Sequence, residues 1–512
     1  MRRAAETGGA GLVFCPHVNR QFGTLAVAQG LAETLRMRVE TYSGSAPKGI
    51  SGDWEEHNMR VARDFKRNRI SVLACTNAFG MGIDKPNIRF TAHLGLPQTV
   101  EAFYQQAGRA GRDQHTAHCD IVLSVDHPRR ARQLLDPNTP IETVIELVDD
   151  VEWDEADDVT RALYFHTRAF AGLDEDLQMV KHVLGRLGSI VPDKAVAFSW
   201  VGLSHGKHEG DAEKQASEKA VYHLVTLGVV RDYTLDWAKR ELQLVLGDQE
   251  GDSMAVALGN YGRAYQVRRG DILQQEFARN APADPTLRIV HGAKLLIEFI
   301  YETVELARRR GLSEMLQAAS QAVTAINGSE VLKKRVLQYL TQTDWDVRLE
   351  EIGAKGGLGA DALRLVLEEV VSSRHAEELR GAAARQLNSY PDQPAFLFLR
   401  AFAEACVTDP DWERVTEDVR AALAFGREKY GASEQDLATV VADLTSFVES
   451  RGRPGQRLVQ SAILASGAGR PFQRELCGRL PPHLAVELVA PLMTRLRRTA
   501  IAHPHSGVTR HD

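Results

Sequence analysis

Cysteine is scarce. The chain has five in 512 residues, at positions 15, 75, 119, 406 and 477, and no two form a Cys-x-x-Cys pair. That spacing excludes a disulfide framework and a four-cysteine zinc module, and predicts five small core residues in a reducing compartment. Long hydrophobic runs are missing as well. The stretch 295–307 is interrupted by Glu298, Glu302 and Glu305, and only residues 11–15 follow the basic start Met1-Arg2-Arg3 as an apolar run. Neither suits a membrane span or a signal core, so a soluble cytoplasmic protein without a membrane partner is expected. Uniform basic charge is absent, the formal net charge being -6, which excludes a histone-like coat. No lysine of the chain is followed by Ser or Thr, so the phosphate-cradling Gly-x-x-x-x-Gly-Lys-Ser/Thr loop is not encoded in it.

What is present is an ordinary globular composition, 44% hydrophobic and 25% charged, and a length suited to three or so domains. The charge is segregated. Residues 1–135 carry 18 basic and 12 acidic side chains, whereas 136–180 carry 2 and 13. A basic segment behind an acidic junction marks a boundary and reopens the question of nucleic acid.

Within 1–135, short β-rich runs at 11–15, 39–42, 70–75, 88–94 and 119–123 alternate with helical patterns at 21–36, 54–67 and 100–107. Such alternation predicts an α/β lobe, a mostly parallel sheet with helices on both faces, whose chemistry sits in loops after the strands. Residues 136–180 read as an acidic connector. Residues 181–250 suggest a winged helix: a helix at 213–227, then strands at 229–237 and 241–246 around Ala238-Lys239-Arg240. Residues 251–500 read as an α-helical domain, with a Ser433/Asp436 capping box and a helix end at Gly311. The stretch 385–400 resembles helical-hairpin repeats but shows no fixed period. Residues 501–512 are expected to fray as a tail.

Two loops carry chemistry. The first is Ala74-Cys-Thr-Asn-Ala-Phe-Gly-Met-Gly-Ile-Asp-Lys-Pro86, after a strand. The second is Gln105-Gln-Ala-Gly-Arg-Ala-Gly-Arg-Asp113, at a helix end. Gly108 and Gly111 keep bulk away, while Arg109 and Arg112 bring two cations to one place, as a polyphosphate in its transition state requires. The alternative is that they pair with acids such as Asp113. Thr76 and Asn77 offer a hydroxyl and an amide for phosphates, and Asp84 an acceptor for a ribose hydroxyl.

These loops resemble motifs V and VI of superfamily 2 helicases, and the wording of the first resembles the RecQ branch. Residues 11–15 match that family's motif IV strand, and Tyr42-Ser43-Gly44 the next motif. The resemblance covers about residues 10–125, the second RecA-like motor lobe, and implies an ATP-dependent 3′→5′ DNA helicase. By it, Arg109 and Arg112 are the arginine fingers and Gln105 a coupling residue. Gly82 and Asp84, with the two arginines, contact ATP, while Thr76 and Asn77 contact the DNA backbone. The family's first lobe, holding the phosphate loop and the magnesium-binding acids, would precede residue 10. ATP and Mg2+ are therefore expected to be held mainly by that lobe, which a separate polypeptide could supply, and this chain alone is expected to be inactive. The rival reading is a non-enzymatic DNA-binding or scaffolding protein with a relic lobe. An RNA substrate is a further alternative. RecQ-like proteins also carry a winged helix whose hairpin can separate strands, which assigns DNA contacts to Tyr233, Trp237, Lys239 and Arg240. The competing expectation packs both aromatics on the preceding helix. No zinc is expected, and the helical domain is expected to bind an unidentified protein.

Two decoys remain. Asp154-Glu155-Ala156-Asp157 spells a helicase motif but lies after motifs V and VI, so a solvated acidic face is expected. The glycine-rich 353–359 follows no strand and predicts a turn between helices.

Overall fold

Five short runs pair side by side; two of them, Ala10–Phe14 and Val72–Cys75, are apolar on both faces, the pattern of a strand buried between helical layers, whereas the others carry polar residues. They are β1 (Ala10–Phe14), β2 (Val39–Tyr42), β3 (Val72–Cys75), β4 (Ile88–Leu94) and β5 (His118–Val122). The computed structural model describes residues 8–79, 85–188, 190–202, 211–248, 250–465 and 470–486. The sheet order is β2-β3-β1-β4-β5, and every neighbouring pair is parallel. Helices α1 (Thr24–Leu35), α2 (Trp54–Lys66) and α3 (Val100–Ala107) return the chain between strands. Asp53 caps α2 through the Glu55 and Glu56 amides, and Thr99 caps α3 through the Ala102 amide.

Side chains alternate across the sheet. Leu12, Phe14, Leu73 and Cys75 meet Val61 and Phe65 of α2 on one face, and Val13, Val72, Phe90 and Ala92 meet Leu35 of α1 on the other. Helices therefore cover both faces, as expected. β5 forms an exposed edge, so Cys119 faces outward and is no core residue. Cys477 is only half-buried.

The chain divides into two compact units, Met1–Gly172 with Arg308–Leu340, and Leu173–Ala307 with Thr341–Asp512. The first unit continues from the sheet through α4 (Pro128–Leu135), α5 (Ile141–Asp149) and α6 (Asp158–Ala169). In the acidic decoy only Asp154 and Glu155 are solvated. Asp157 is buried because it caps α6, accepting from the amide and hydroxyl of Thr160. Two later helices, Leu306–Thr324 and Gly328–Leu340, complete this unit from Arg308 onward. Arg309 donates to the Asp136 and Thr139 carbonyls at 3.1 and 3.0 Å. Gly311 lies inside a helix rather than at its end. A Cβ there would stand 2.9 Å from the Thr99 methyl, so the missing side chain serves close packing.

The second unit opens with α7 (Leu173–Leu187), β6 (Ala195–Ser199), α8 (Asp211–Thr226), β7 (Val230–Asp236) and β8 (Glu241–Leu246). The expected hairpin forms, and β6, not anticipated from sequence, adds a third strand in the antiparallel order β6-β8-β7. Leu242, Leu244 and Leu246 alternate inward. The remainder is helical. A helix Pro285–Ile300 leads into one π turn, Tyr301–Glu305. At that turn the Tyr301 hydroxyl donates to Asp176 at 2.7 Å, beside Lys219 at 2.5 Å. The helix Pro394–Cys406 is buried at all 13 positions, enclosed by Ala360–Glu369, Ser373–Ser389, Trp412–Glu428 and Glu434–Ser450. Its Arg400 makes a bidentate pair with Asp418 at 2.6 and 2.8 Å. The Ser433/Asp436 capping box is present, and Gly356–Gly359 forms the turn between two helices. Among the described residues no helix is long and apolar enough to cross a membrane.

Candidate functional site

The strand ends of the first unit position the two loops. β3 stops at Cys75, where the Thr76 amide donates to the Tyr42 carbonyl at 3.1 Å, the last rung before the chain turns. The Phe79 amide then returns to the Thr76 carbonyl at 3.1 Å, and Phe79 is buried among the sheet residues. This turn leaves Thr76 half-buried and Asn77 exposed. Gly82 and Asp84 lie outside the described residues. Beyond them Lys85 is 2% exposed, its ammonium donating to the Asn68 side-chain oxygen and standing 5.0 Å from the Phe65 ring centroid. Burial lowers its pKa.

The second loop leaves α3 at Gly108, where a Cβ would stand 2.9 Å from the Tyr104 carbonyl. It turns again at Gly111, whose φ of +68° suits glycine and whose amide donates to the Ile88 carbonyl at 3.0 Å. Between them Arg109 is half-buried, its Nε enclosed without a hydrogen-bond partner among the described residues. Burial first, and the nearby Arg112 second, lower the guanidinium's pKa, while the Cys75 thiol at the end of β3 raises it. Arg112 is exposed. Asp113 does not serve Arg109: it forms a two-pronged pair with Arg89 of β4, which lowers its carboxyl to about 2. Two cations stand together, one of them already stripped of much of its water, an arrangement suited to an incoming polyanion.

Gln105 and Gln106 separate sharply. Gln105 is exposed, whereas Gln106 donates to the Asn77 side-chain oxygen at 2.6 Å and so joins the two loops. The residue that physically bridges them is the second glutamine of the motif. Helix phase measured from the Thr99 cap is the signal that distinguishes two consecutive glutamines. A further feature escaped the sequence. In the loop after β1, neither ring nitrogen of His17 has a hydrogen-bond partner among the described residues, and the same holds for the Thr24 hydroxyl that opens α1. Arg20 stacks 4.7 Å from the Trp153 ring centroid beside them.

In the second unit, the hairpin residues are brought partly together. The Tyr233 hydroxyl donates to Glu218 of α8 at 3.3 Å. Trp237 is 65% exposed, with Lys214 of α8 at 4.2 Å from its ring centroid. Both aromatics therefore touch the preceding helix, yet Trp237 keeps most of its surface in solvent. Lys239 stands 3.4 Å from Asp236, and Arg240 closes the turn with φ +55°. Among the described residues, no three His, Cys, Asp or Glu side chains form a metal-binding group.

Comparison with known proteins bears on the first unit. Residues 3–114 match the family described as helicase conserved C-terminal domain. The probable ATP-dependent DNA helicase RecS of Bacillus subtilis is 42% identical over 106 residues, 20% of this chain and 19% of the relative. The ATP-dependent DNA helicase RecQ of Haemophilus influenzae is 36% identical over 138 residues, 27% of this chain and 20% of the relative. The human ATP-dependent DNA helicase Q4 is 37% identical over 118 residues, 22% of this chain and 10% of the relative. Each matched stretch spans a fifth or less of the relative's length. The α/β lobe is thus a helicase C-terminal domain similar to that of RecQ-like DNA helicases.

Proposed function

We propose that this lobe works as the second motor lobe of a RecQ-like, ATP-dependent 3′→5′ DNA helicase. The observation that carries the reading is Arg109, half-buried beside Arg112 with its Nε unpartnered while Asp113 is committed to Arg89. A guanidinium so placed costs desolvation that a simple surface arginine would avoid, and an ATP phosphate arriving from a facing lobe offsets it. Arg109 and Arg112 act as arginine fingers, with Gln105 toward the nucleotide. Gly82 and Asp84 complete the ATP contacts by motif. Thr76 and Asn77 hold the DNA backbone. Arginine fingers cannot build a phosphoryl-transfer site without a phosphate loop and metal-holding acids. Those groups, and magnesium with them, come from a first lobe, in the same polypeptide or in another. This chain's residues bind and neutralise the phosphates; no step through a metal is assigned to them.

The helix, strand, helix and hairpin of α7–β8 act as a winged-helix-like unit whose Trp237, Lys239 and Arg240 meet the duplex end. The exposed indole stacks on a terminal base pair, while Tyr233 is the anchor to α8. A Trp237→Ala change then lowers strand separation by the assembled motor without changing its ATP turnover. Unchanged strand separation removes the hairpin from the reading.

DNA binding by the full chain is tested by titrating a labelled single-stranded oligonucleotide. Affinity that falls with salt supports backbone contacts by the basic lobe. An enzyme-free scaffolding role is favoured instead if DNA binds but Arg109 and Arg112 have no effect on ATP turnover once a first lobe is added.

A further inference from the structure

The hydrogen bond between the two loops has a direction, and the direction decides what Asn77 can offer. Asn77 stands exposed at the end of β3, and its side-chain oxygen accepts from Gln106 Nε2 at 2.6 Å. An asparagine amide has two unlike ends, an oxygen that only accepts and an NH2 that only donates. A DNA phosphate only accepts, so it can be held by the NH2 end and not by the oxygen. With nothing to distinguish the ends, an exposed amide turns freely between them. Gln106 occupies the oxygen end and thereby turns the NH2 outward.

Gln106 is itself well held. It lies half-buried in the last turn of α3 near His93, its side chain donating to Asn77. His93 Nδ1 donates to the Asp120 carbonyl at 3.2 Å, which fixes the ring. Burial pushes its imidazole down to about 4, opposed by the Asp120 carbonyl, so the ring is neutral at ordinary pH and presents no competing cation. The Gln106 carbonyl in turn accepts the Arg109 amide at 3.3 Å. One residue therefore grips the loop after β3 with its side chain and the arginine loop with its backbone.

We propose that Gln106 is a positioning residue which fixes the Asn77 amide with its NH2 outward, making Asn77 a phosphate donor and tying that contact to the segment that carries Arg109. The proposal rests on the reading of the lobe as a DNA-binding motor lobe. It assigns Gln106 no contact with DNA of its own; its effect passes through Asn77.

The test is a double-mutant cycle on the full 512-residue chain, read by fluorescence anisotropy with a labelled single-stranded oligonucleotide at fixed low salt. Gln106→Met keeps the length and removes both amide ends. It weakens binding roughly two- to tenfold, the range of one lost hydrogen bond. Asn77→Ala weakens it by a similar factor. The double variant binds no more weakly than Asn77→Ala alone, because Gln106 has nothing left to orient. A purely structural glutamine gives losses that multiply, and that result overturns the proposal. So does Gln106→Met binding as tightly as the unaltered chain while Asn77→Ala binds less tightly. Should Gln106→Met not fold, Gln106→Ser takes its place in the cycle. If the unaltered chain itself shows no salt-sensitive affinity for DNA, the motor-lobe reading fails, and the inference fails with it.

Discussion

Arg109 of the α/β lobe and three arginines of the helical bundle are treated in opposite ways. In the bundle, Arg400 is 2% exposed and locked to Asp418 by two hydrogen bonds. Arg385 is held by Asp346, and Arg380 by Glu404. In the lobe, Arg109 is half-buried with Nε unpartnered, next to another cation. The bundle closes these charges on one another; at Arg109 the guanidinium Nε has no partner among the described residues and stays open toward what is to arrive. The difference teaches where to expect stability and where to expect activity, because a buried guanidinium is tolerable only if something completes it.

The comparison can be broken from the bundle side first. Arg400→Ala leaves Asp418 buried without its bidentate partner and is expected to cost about 3–5 kcal/mol. Phe398→Ala, in the same enclosed helix, is expected to cost a similar amount through the cavity it opens. Denaturant unfolding followed by far-ultraviolet circular dichroism measures both. Losses below 1 kcal/mol contradict the reading of that helix as the centre of the bundle.

Acid provides a milder test. Burial lowers His93 in the lobe and His223 in the second unit to about 4, from an ordinary value of 6.5. His17, also in the lobe, falls to about 4 chiefly through burial, with Arg20 and Arg161 adding to it. The unfolded chain takes up protons that these folded imidazoles refuse. Their contribution is therefore present in full above about pH 6.5 and is lost as pH falls toward 4. Between pH 6.5 and 5 the loss is about 2 kcal/mol for each fully buried histidine. Hydrogen exchange at pH 7 and pH 5 reads it out. Amides of β1 and β4 are expected to lose more protection than those of Pro394–Cys406, and equal loss blurs the distinction between the regions.

Arg109→Met is expected to have the smallest effect on stability, within about 0.5 kcal/mol, since among the described residues Arg109 has no ion pair to break and its Nε is unpartnered. A large loss places Arg109 with the structural arginines of the bundle.

Much of this was legible in the sequence because the lobe's strands are apolar runs separated by amphipathic helices, and both loops kept their order and spacing. The parallel sheet and the hairpin of β7 and β8 follow from that pattern, whereas the order β2-β3-β1-β4-β5 does not. Other features depended on neighbours far away in the chain. β6 is short and buries only Phe198, so it reads as a strand only beside β8. Cys119 lies in a strand the sequence predicts, but that strand is the exposed sheet edge. Gly311 looked like a helix terminus, whereas it is the point where a helix passes close to Thr99. Gln106 was hidden beside Gln105: helix phase separates the two, but the partner that gives Gln106 its place, Asn77, lies in the loop after β3. The assignment of Asp113 to Arg89 was equally invisible, since it joins the arginine loop to β4.

The measurement that bears most directly on the central claim is DNA-stimulated ATP hydrolysis by the full chain mixed with a RecQ-type first lobe, compared between the unaltered chain and Arg109→Ala. The unaltered chain is expected to raise turnover above that of the first lobe alone, and Arg109→Ala to remove about a thousandfold or more of the finger-dependent rate while the chain stays folded. Equal turnover with and without Arg109 would contradict the account.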